Sequence, residues 1–254
     1  MTTELAESLM KLEIETPAHS LPPTVLTVAL KATLTEFFVK ATKGYHLINE
    51  DPIKESRWEA INSIVLKASG CTVSSMSSGS HKPGSDITCS LGGFSNKSAK
   101  YINTKGTENN SKTAISSYRL TTVCSDKDPG TVETIIAEIQ SRKNFDYYSV
   151  LIYQEDGANI LYDWYLIPAD HPAMNPRTHT WKQKMGKQGS KKDTVVGWVT
   201  DTHEGSYMDI TFSMSSQLWI HLTITPELRT HLVASSVVPK GQKYDYITLF
   251  EKEQ

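Results

Sequence analysis

The chain has few cysteines and no excess of charge of either sign. Its three cysteines, Cys71, Cys89 and Cys124, form no CxxC pair. An odd number without paired spacing argues against a disulfide framework and against a zinc site, and it favours a reducing, cytoplasmic environment. The 26 basic and 28 acidic residues give a net charge of −2. Because no global positive field exists, any surface for nucleic acid must be local.

Long apolar runs and several common enzyme motifs are also missing. No run reaches the ~18 residues of a membrane span, and the N-terminus carries Glu4 and Glu7 where a signal peptide carries lysines. We therefore predict a soluble, unsecreted protein with no membrane partner. Residues 79–84 have the glycine spacing of a P-loop, but Ser85 occupies the position of its lysine. GxGxxG, GxSxG and HExxH motifs are absent.

The first part of the chain shows two helical patterns. Residues 1–23 indicate an arm, and Thr24 is placed to cap a first helix. The apolar residues of that helix recur at three-to-four spacing: Leu26, Leu30, Leu34, Phe37, Phe38 and Ala41. Asp51-Pro52 predicts the start of a second helix that ends at Gly70. Its predicted buried stripe comprises Trp58, Ile61, Val65 and Ala68.

The remaining patterns predict mostly strands. Residues 103–113 indicate a loop, 114–123 a short helix and 132–139 a third helix. Apolar runs or alternation predict strands at 145–153, 160–167, 195–199, 208–212 and 218–224, with a turn at 155–157. Helices first and then strands with an interposed helix predict an α/β chain of the α+β type, with one mixed sheet flanked by helices. We expect a single domain over residues 1–254.

A polar hairpin between the second helix and the loop carries the clearest chemistry. Apolar and polar residues alternate along residues 86–91, and Asp86 opens the polar face. A turn at Gly92-Gly93 leads into a second strand, where Ser95 and Lys97 share one face. A carboxylate and an ammonium can therefore converge. This pairing suits phosphodiester hydrolysis, in which an acid holds Mg²⁺ against the phosphate and a lysine stabilises developing charge.

The segments Pro83-Gly84-Ser85-Asp86 and Ser95-Asn96-Lys97 resemble the PD-(D/E)xK nuclease superfamily, and within it the type II restriction endonucleases. The resemblance covers roughly residues 50–170 and implies a restriction-endonuclease-like core of helix, catalytic meander, helix and further strands. It also implies a Mg²⁺-dependent, sequence-specific endonuclease for double-stranded DNA, with Asp86, Ser95 and Lys97 as its catalytic residues. A homodimer would cut a palindrome and leave 5′-phosphate and 3′-hydroxyl ends.

Two departures from the motif concern the metal ligands. Two residues separate the proline from Asp86, and Ser95 stands where the usual second acid is expected. A serine cannot replace a carboxylate's charge, so another acid is needed. Glu59 on the second helix, one turn after Glu55, is the preferred second metal ligand beside Asp86, since a helix before the hairpin often lends a glutamate in this family. Glu108 is the alternative.

Several further residues are candidate DNA contacts. His81 and Lys82 precede Asp86, and Tyr118 and Arg119 end a hydroxyl-rich segment that suits phosphate or guanine contact. Gln217 suits adenine. Residues 181–192 carry five lysines and no acid, a local footprint for phosphates; the predicted contacts there are Lys184, Lys187, Lys191 and Lys192.

Two other functions remain open at this point. One is a structure-specific repair or phage nuclease with the same core. The other is a non-catalytic DNA-binding or ligand-binding protein, in which Asp86 is a turn residue and the lysines are solvated surface residues.

Overall fold

The computed structural model describes residues 26–76, 84–102, 111–212 and 215–240. The predicted arm and the Thr24 cap lie outside these ranges. The helices are α1 (Val28–Tyr45), α2 (Glu55–Ala68), α3 (Val132–Arg142) and the short α4 (Pro226–Arg229). The strands are β1 (Val73–Met76), β2 (Ile87–Cys89), β3 (Gly92–Lys100), β4 (Lys112–Arg119), β5 (Tyr147–Asp156), β6 (Asn159–Pro168), β7 (Trp181–Met185), β8 (Val195–Thr200), β9 (Ser206–Thr211), β10 (Gln217–Thr223) and β11 (Leu232–Pro239).

The strands form two sheets. The first has six strands in the order β1-β2-β3-β5-β6-β11, and β3 and β5 are parallel while its other neighbours are antiparallel. The second is antiparallel, in the order β4-β10-β9-β8-β7. The prediction of a mixed sheet with helices in an α+β chain is confirmed for the first sheet. The second sheet was not predicted as a separate layer.

The first sheet is the central layer of the described structure. Side chains of α1 and α2 pack on one of its faces, where Phe38, Trp58 and Trp164 form part of the core. Side chains of α3 and of the second sheet pack on the other face, around Tyr148, Val150 and Ile220. Residues 147–152 of β5 are consequently all buried. A strand covered on both faces has a continuous apolar pattern, which is why β5 was recognisable from the sequence.

Both of the first two helices begin later than the sequence suggested. The N-cap of α1 is Thr27, whose hydroxyl accepts a hydrogen bond from the Leu30 amide. Helix α2 begins at Glu55 and not at Asp51-Pro52, because Ile53 is buried in the core in an extended approach. Trp58, Ile61 and Val65 are buried as predicted, whereas Ala68 is exposed at the last residue of the helix.

The turn of the polar hairpin lies two residues before its predicted place. Cys89 pairs with Gly92, so Ser90 and Leu91 form the turn and the glycines belong to β3. Gly92 has φ +120°, and a Cβ there would lie 2.5 Å from Asp146 Oδ2. The glycine is needed because a carboxylate from the neighbouring strand approaches the backbone closely.

The segment predicted as a short helix at 114–123 is strand β4. Thr113 and Ile115 are buried while their neighbours are not, and β4 pairs with β10 of the second sheet. Helical and strand patterns are hard to separate in a segment this short, and the pairing with β10 decides the outcome. The third helix is confirmed as α3, capped by Thr131.

A buried polar cluster holds α2 against the central sheet. Asn62 Nδ2 and Trp164 Nε1 donate to Ser149 Oγ at 2.8 and 3.0 Å, and Trp58 Nε1 donates to the Ser149 carbonyl at 3.1 Å. Asn62 Nδ2 also reaches Asn96 Oδ1 on β3 at 2.6 Å. These bonds fix the rotation and height of α2 over β3 and β5, and so decide where its first turn lies.

Among the helices in the described ranges, none combines the length and apolar character that a membrane crossing requires.

We expect Ser149→Ala to destabilise the protein by about 1–3 kcal/mol, because two buried N–H donors lose their shared acceptor. The free energy of unfolding, measured by denaturant titration, checks this. Ser141→Ala on the surface of α3, where the hydroxyl bonds only to Glu138 of its own helix, is the matched control and should change stability by less than about 0.5 kcal/mol. Equal effects of the two substitutions would contradict the role given to Ser149.

Candidate active site

Asp86 lies just before β2 and is tied to β3 by its backbone and its side chain. Its amide donates to the Phe94 carbonyl at 2.8 Å. The Asn96 amide donates to Asp86 Oδ2 at 2.6 Å, and the Ser95 hydroxyl also bonds to this carboxylate. Ser95 is buried, so its role in this structure is to orient Asp86.

Lys97 lies two residues along β3 from Ser95 and joins this strand to α2. Its ammonium Nζ is 2.6 Å from Glu55 Oε1, and only 12% of the lysine side chain is exposed, against 39% for the glutamate. Glu55 is the first residue of α2. The position of α2 therefore determines which acid the lysine meets.

Glu59 follows Glu55 by one helical turn and lies on the same side of α2. Burial raises the pKa of Glu59, and the negative charges of Asp86 and Glu55 raise it further, while Lys97 opposes them. These interactions show that Glu59 lies within electrostatic reach of all three groups. The structure thus brings together Asp86, Lys97 and Glu59, as the sequence predicted, and adds Glu55.

The pKa of Asp86 is also raised. Its burial outweighs the lowering effects of the Lys97 charge and of the hydrogen bonds from Asn96 and Ser95. Asp86 and Glu59 therefore both have raised pKa values, which shows that the fold disfavours negative charge at this place. We call Asp86, Glu55, Glu59 and Lys97 the acid–lysine cluster.

No group of three or more His, Cys, Asp and Glu side chains in the described residues has the geometry to hold a metal ion by itself. Mg²⁺ is usually held by one or two carboxylates, with waters and substrate phosphates completing its shell. The pair Asp86 and Glu59 fits that donor set.

Tyr118, Arg119 and Gln217 lie together at the C-terminal end of β4. Gln217 pairs with Arg119 across the sheet and its Nε2 donates to the Ser117 carbonyl at 2.9 Å. Burial is the main cause that raises the pKa of Tyr118, and the charge of Asp86 contributes. Arg119 is exposed. Of the three, Arg119 is best placed to contact a ligand, because the Tyr118 hydroxyl is buried.

The predicted lysine segment is a strand followed by a loop and is not a loop throughout. Lys184 lies on β7, and its ammonium contacts both carboxylate oxygens of Asp209, at 2.9 and 2.6 Å, and the Thr211 hydroxyl at 2.7 Å. Lys184 is therefore already neutralised. Lys187, Lys191 and Lys192 are exposed between β7 and β8. Strand β7 is at the opposite edge of the second sheet from β4, four strand spacings or roughly 19 Å away at about 4.8 Å each.

Three predicted site residues lie outside the described residues. They are His81 and Lys82, which were expected to contact DNA, and Glu108, the alternative metal ligand.

Sequence reasoning missed a second polar site at the end of α3. Lys143 Nζ donates to the carbonyls of Ala169 and Met174 at 3.0 and 2.6 Å, in a cleft of about 430 Å³ that Asp146 and Asp170 also line. Burial lowers the pKa of Lys143 to about 7. The two carbonyl acceptors show a structural role, which is to tie the end of α3 to residues 169–174. No local sequence signal marks it, since its partners are backbone atoms distant in the chain.

We expect Glu59→Gln to stabilise the protein slightly at pH 7, because it removes a charge that the folded state disfavours; solvent around this half-buried side chain should keep the gain below about 1 kcal/mol. The raised pKa means that folded Glu59 binds its proton more tightly than unfolded Glu59. The contribution of Glu59 to the free energy of unfolding therefore falls as the pH rises from its unfolded pKa, about 4.3, through its higher folded pKa. The advantage of the variant should be small at pH 4 and grow toward pH 7, as measured by denaturant titration.

Glu36→Gln is the matched control for that measurement. Glu36 pairs with Lys40 on α1, where both side chains are largely exposed, so its loss should change stability by less than about 0.5 kcal/mol at pH 7. A destabilised Glu59→Gln at pH 7 would show that the cluster favours the ionised carboxylate.

No protein-family model, no curated protein and no solved structure gave a significant match to this chain.

Proposed function

We propose that this chain is a Mg²⁺-dependent endonuclease that hydrolyses phosphodiester bonds of double-stranded DNA at specific sequences. The observation that carries the proposal is the acid–lysine cluster: Asp86 and Glu59 from different elements lie in electrostatic reach of each other and of Lys97. The order of elements also supports the proposal, since α2, a three-stranded meander, α3 and β5 occur in the order that the resemblance to restriction endonucleases implies, with β4 of the second sheet between the meander and α3.

Asp86 and Glu59 are the residues that would hold the metal ion. Burial raises the pKa of both groups, the negative charge of Asp86 raises the pKa of Glu59 further, and a bound cation would offset these negative charges. Bound Mg²⁺ would polarise the phosphate and lower the pKa of a coordinated water. Ser95 and the Asn96 amide orient the Asp86 carboxylate. Because binding competes with protonation of these acids, metal affinity should rise with pH.

Lys97 supplies the positive charge for the reaction. Its ammonium has three donors, and Glu55 accepts one of them. The others can bind a non-bridging phosphate oxygen as its negative charge grows in the transition state. A bond forms between the water oxygen and phosphorus, and the bond between phosphorus and the 3′ oxygen breaks. The water's proton leaves to solvent, the departing 3′ oxygen takes up a proton from solvent, and the products carry 5′-phosphate and 3′-hydroxyl ends.

We further propose a homodimer on DNA. The sequence contains one Asp86 and Lys97 pair and no internal repeat that would supply another. A palindromic site has a two-fold axis, and two chains related by that axis place one cluster at each strand.

We expect Asp86→Asn and Lys97→Met each to reduce cleavage of phage DNA more than about a hundredfold, because each removes charge stabilisation at the reacting phosphate. Initial rates with and without Mg²⁺ measure this. Glu59→Gln and Glu108→Gln, compared by Mg²⁺ titration, identify the second ligand, and we expect only Glu59→Gln to raise the Mg²⁺ concentration required.

Lys100→Met is a matched control for Lys97→Met. Lys100 lies on the same strand and pairs with Glu155 at 2.9 Å, with half of its side chain exposed. The Lys100→Met substitution should leave cleavage unchanged. Discrete fragments would support site-specific cleavage, whereas nicks or smears would indicate a structure-specific nuclease. Binding without any Mg²⁺-dependent cleavage would contradict the proposal and leave a non-catalytic DNA-binding protein.

We expect loss of Lys187, Lys191 and Lys192 by substitution with Gln to weaken DNA binding and flatten its salt dependence. Each phosphate contact removed should lower the slope of log K against log salt by roughly 0.9. Lys184→Gln should have a smaller effect, since Asp209 already neutralises that lysine. A second triple variant, in which Gln replaces Lys31, Lys43 and Lys67, controls for the change in net charge. These three lysines are exposed on α1 and α2. Equal slopes for the two triple variants would show that the loop between β7 and β8 is not part of the DNA-binding surface.

A further inference from the structure

The outer face of the second sheet carries exposed aromatic side chains in an ordered arrangement. Along β9 and β10, buried residues alternate with exposed or half-buried ones. The buried set, which includes Met208, Ile210 and Ile220, packs toward the central sheet. The alternate residues point away from it, and among them are Tyr207, Trp219 and His221. We call these three residues the aromatic platform.

The register places the three rings beside one another. Tyr207 pairs with His221 across the two strands, and Trp219 is two residues from His221 on the same face. The Tyr207 and His221 rings are stacked, with centroids 4.2 Å apart and an interplanar angle of 4°. Trp219 is 41% exposed and Tyr207 is 36% exposed. Flat rings held in fixed orientation on a sheet offer π-faces to a ligand that also has flat rings.

The charges around the platform favour a phosphate-bearing ligand. Trp219 pairs with Asp209, whose carboxylate is neutralised by Lys184, so no unpaired negative charge lies next to the indole on that strand. Beyond Lys184, the loop between β7 and β8 presents Lys187, Lys191 and Lys192 with one acid, Asp193, among them. A groove formed by this loop and its strands contains Lys184, Lys187 and Val199. An extended polyanion lying in this groove would run from the exposed lysines toward the exposed rings of the aromatic platform.

We infer that this face binds an unpaired nucleic-acid strand, whose bases stack on the aromatic platform while its phosphates contact the lysine loop. A duplex fits the platform less well, because its bases are already stacked on one another and their faces are covered. Stacking on side chains requires bases that are free of such neighbours. The inference does not depend on the cleavage proposed above, since binding on this face needs neither Asp86 nor a metal ion.

Binding of a fluorescein-labelled dT12 in EDTA tests the inference on the full chain. The same length of abasic deoxyribose phosphate carries the charge without the bases, and a 12-base-pair duplex carries bases that are already stacked. We expect dT12 to bind about tenfold or more tightly than the abasic strand, since each stacked base contributes strongly to affinity. Equal affinity for dT12 and the abasic strand would overturn the inference.

Substitutions locate the binding. Trp219→Ala should weaken dT12 binding about tenfold and leave the affinity for the abasic strand unchanged, and Trp219→Phe should keep most of the affinity because it keeps a ring. Val237→Ala, an exposed apolar residue on β11 of the other sheet, is the matched control and should bind like the wild type. Wild-type affinity in Trp219→Ala, with its fold verified by circular dichroism, would contradict the proposed platform.

Two further measurements keep the outcome decisive. If Trp219→Ala does not fold, two other measurements replace it. His221→Ala should weaken dT12 binding, and dT12 should protect the tryptophan fluorescence of the wild type from quenching by iodide. Absence of both effects would overturn the inference. Glycan binding that depends on Trp219, without dT12 binding, would assign the platform to sugar rings and also overturn it. Asp86→Asn should bind dT12 normally, so loss of cleavage and loss of strand binding are separable results.

Discussion

The docking of α2 on the central sheet is the constraint on which the candidate active site depends. Ser149, buried in β5, receives hydrogen bonds from Asn62 and from both Trp58 and Trp164 through its hydroxyl and carbonyl. Hydrogen bonds of this kind are directional, so they fix the helix more narrowly than apolar contact would. Because α2 is fixed, its first turn meets β3, and Glu55 and Glu59 face Lys97 and Asp86.

The acid–lysine cluster is placed where its own electrostatics oppose folding. Burial raises the pKa of both Asp86 and Glu59, and repulsion from the Asp86 charge raises the pKa of Glu59 further. The Lys97–Glu55 ion pair offsets part of that repulsion. Functional sites often retain charge arrangements that the rest of the fold must stabilise. Here that stabilisation comes from the apolar core on both faces of β5. This strand pairs with β3 and binds α2 through Ser149, so it fixes the positions of both.

The second sheet has two edges with different surroundings. Its β4 edge begins beside the end of β3, where Thr113 bonds to the Lys100 carbonyl, and at its other end Tyr118 lies within electrostatic reach of Asp86. Its β7 edge carries the lysine loop, four strand spacings away. The exposed aromatic platform lies between these edges. The lysine loop and the aromatic platform thus lie on one layer, whereas the acid–lysine cluster lies on the central sheet and α2.

Local pattern in the sequence determined a large part of this structure. Helix and strand periodicity are local properties. They predicted the buried stripe of Trp58, Ile61 and Val65, the third helix α3 and the buried strand β5. The proximity of Asp86 to Lys97 was predicted from the alternation of a hairpin, and Glu59 was the preferred second acid; the ion pair of Lys97 with Glu55 was not predicted. Their convergence could be expected from the sequence, although their pKa values could not.

Tertiary structure decided what depends on partners distant in the chain. Residues 114–123 formed β4 because β10 offered a pairing edge, and the two glycines of the hairpin belong to β3 because Asp146 approaches Gly92. Lys184 was predicted to bind phosphate but is neutralised by Asp209 on β9, a contact that requires the register of three strands. The aromatic platform has the same origin, since only the pairing of β9 with β10 places Tyr207 against His221. Sequence periodicity specifies which face a residue occupies, whereas pairing and packing over long distances specify its neighbours.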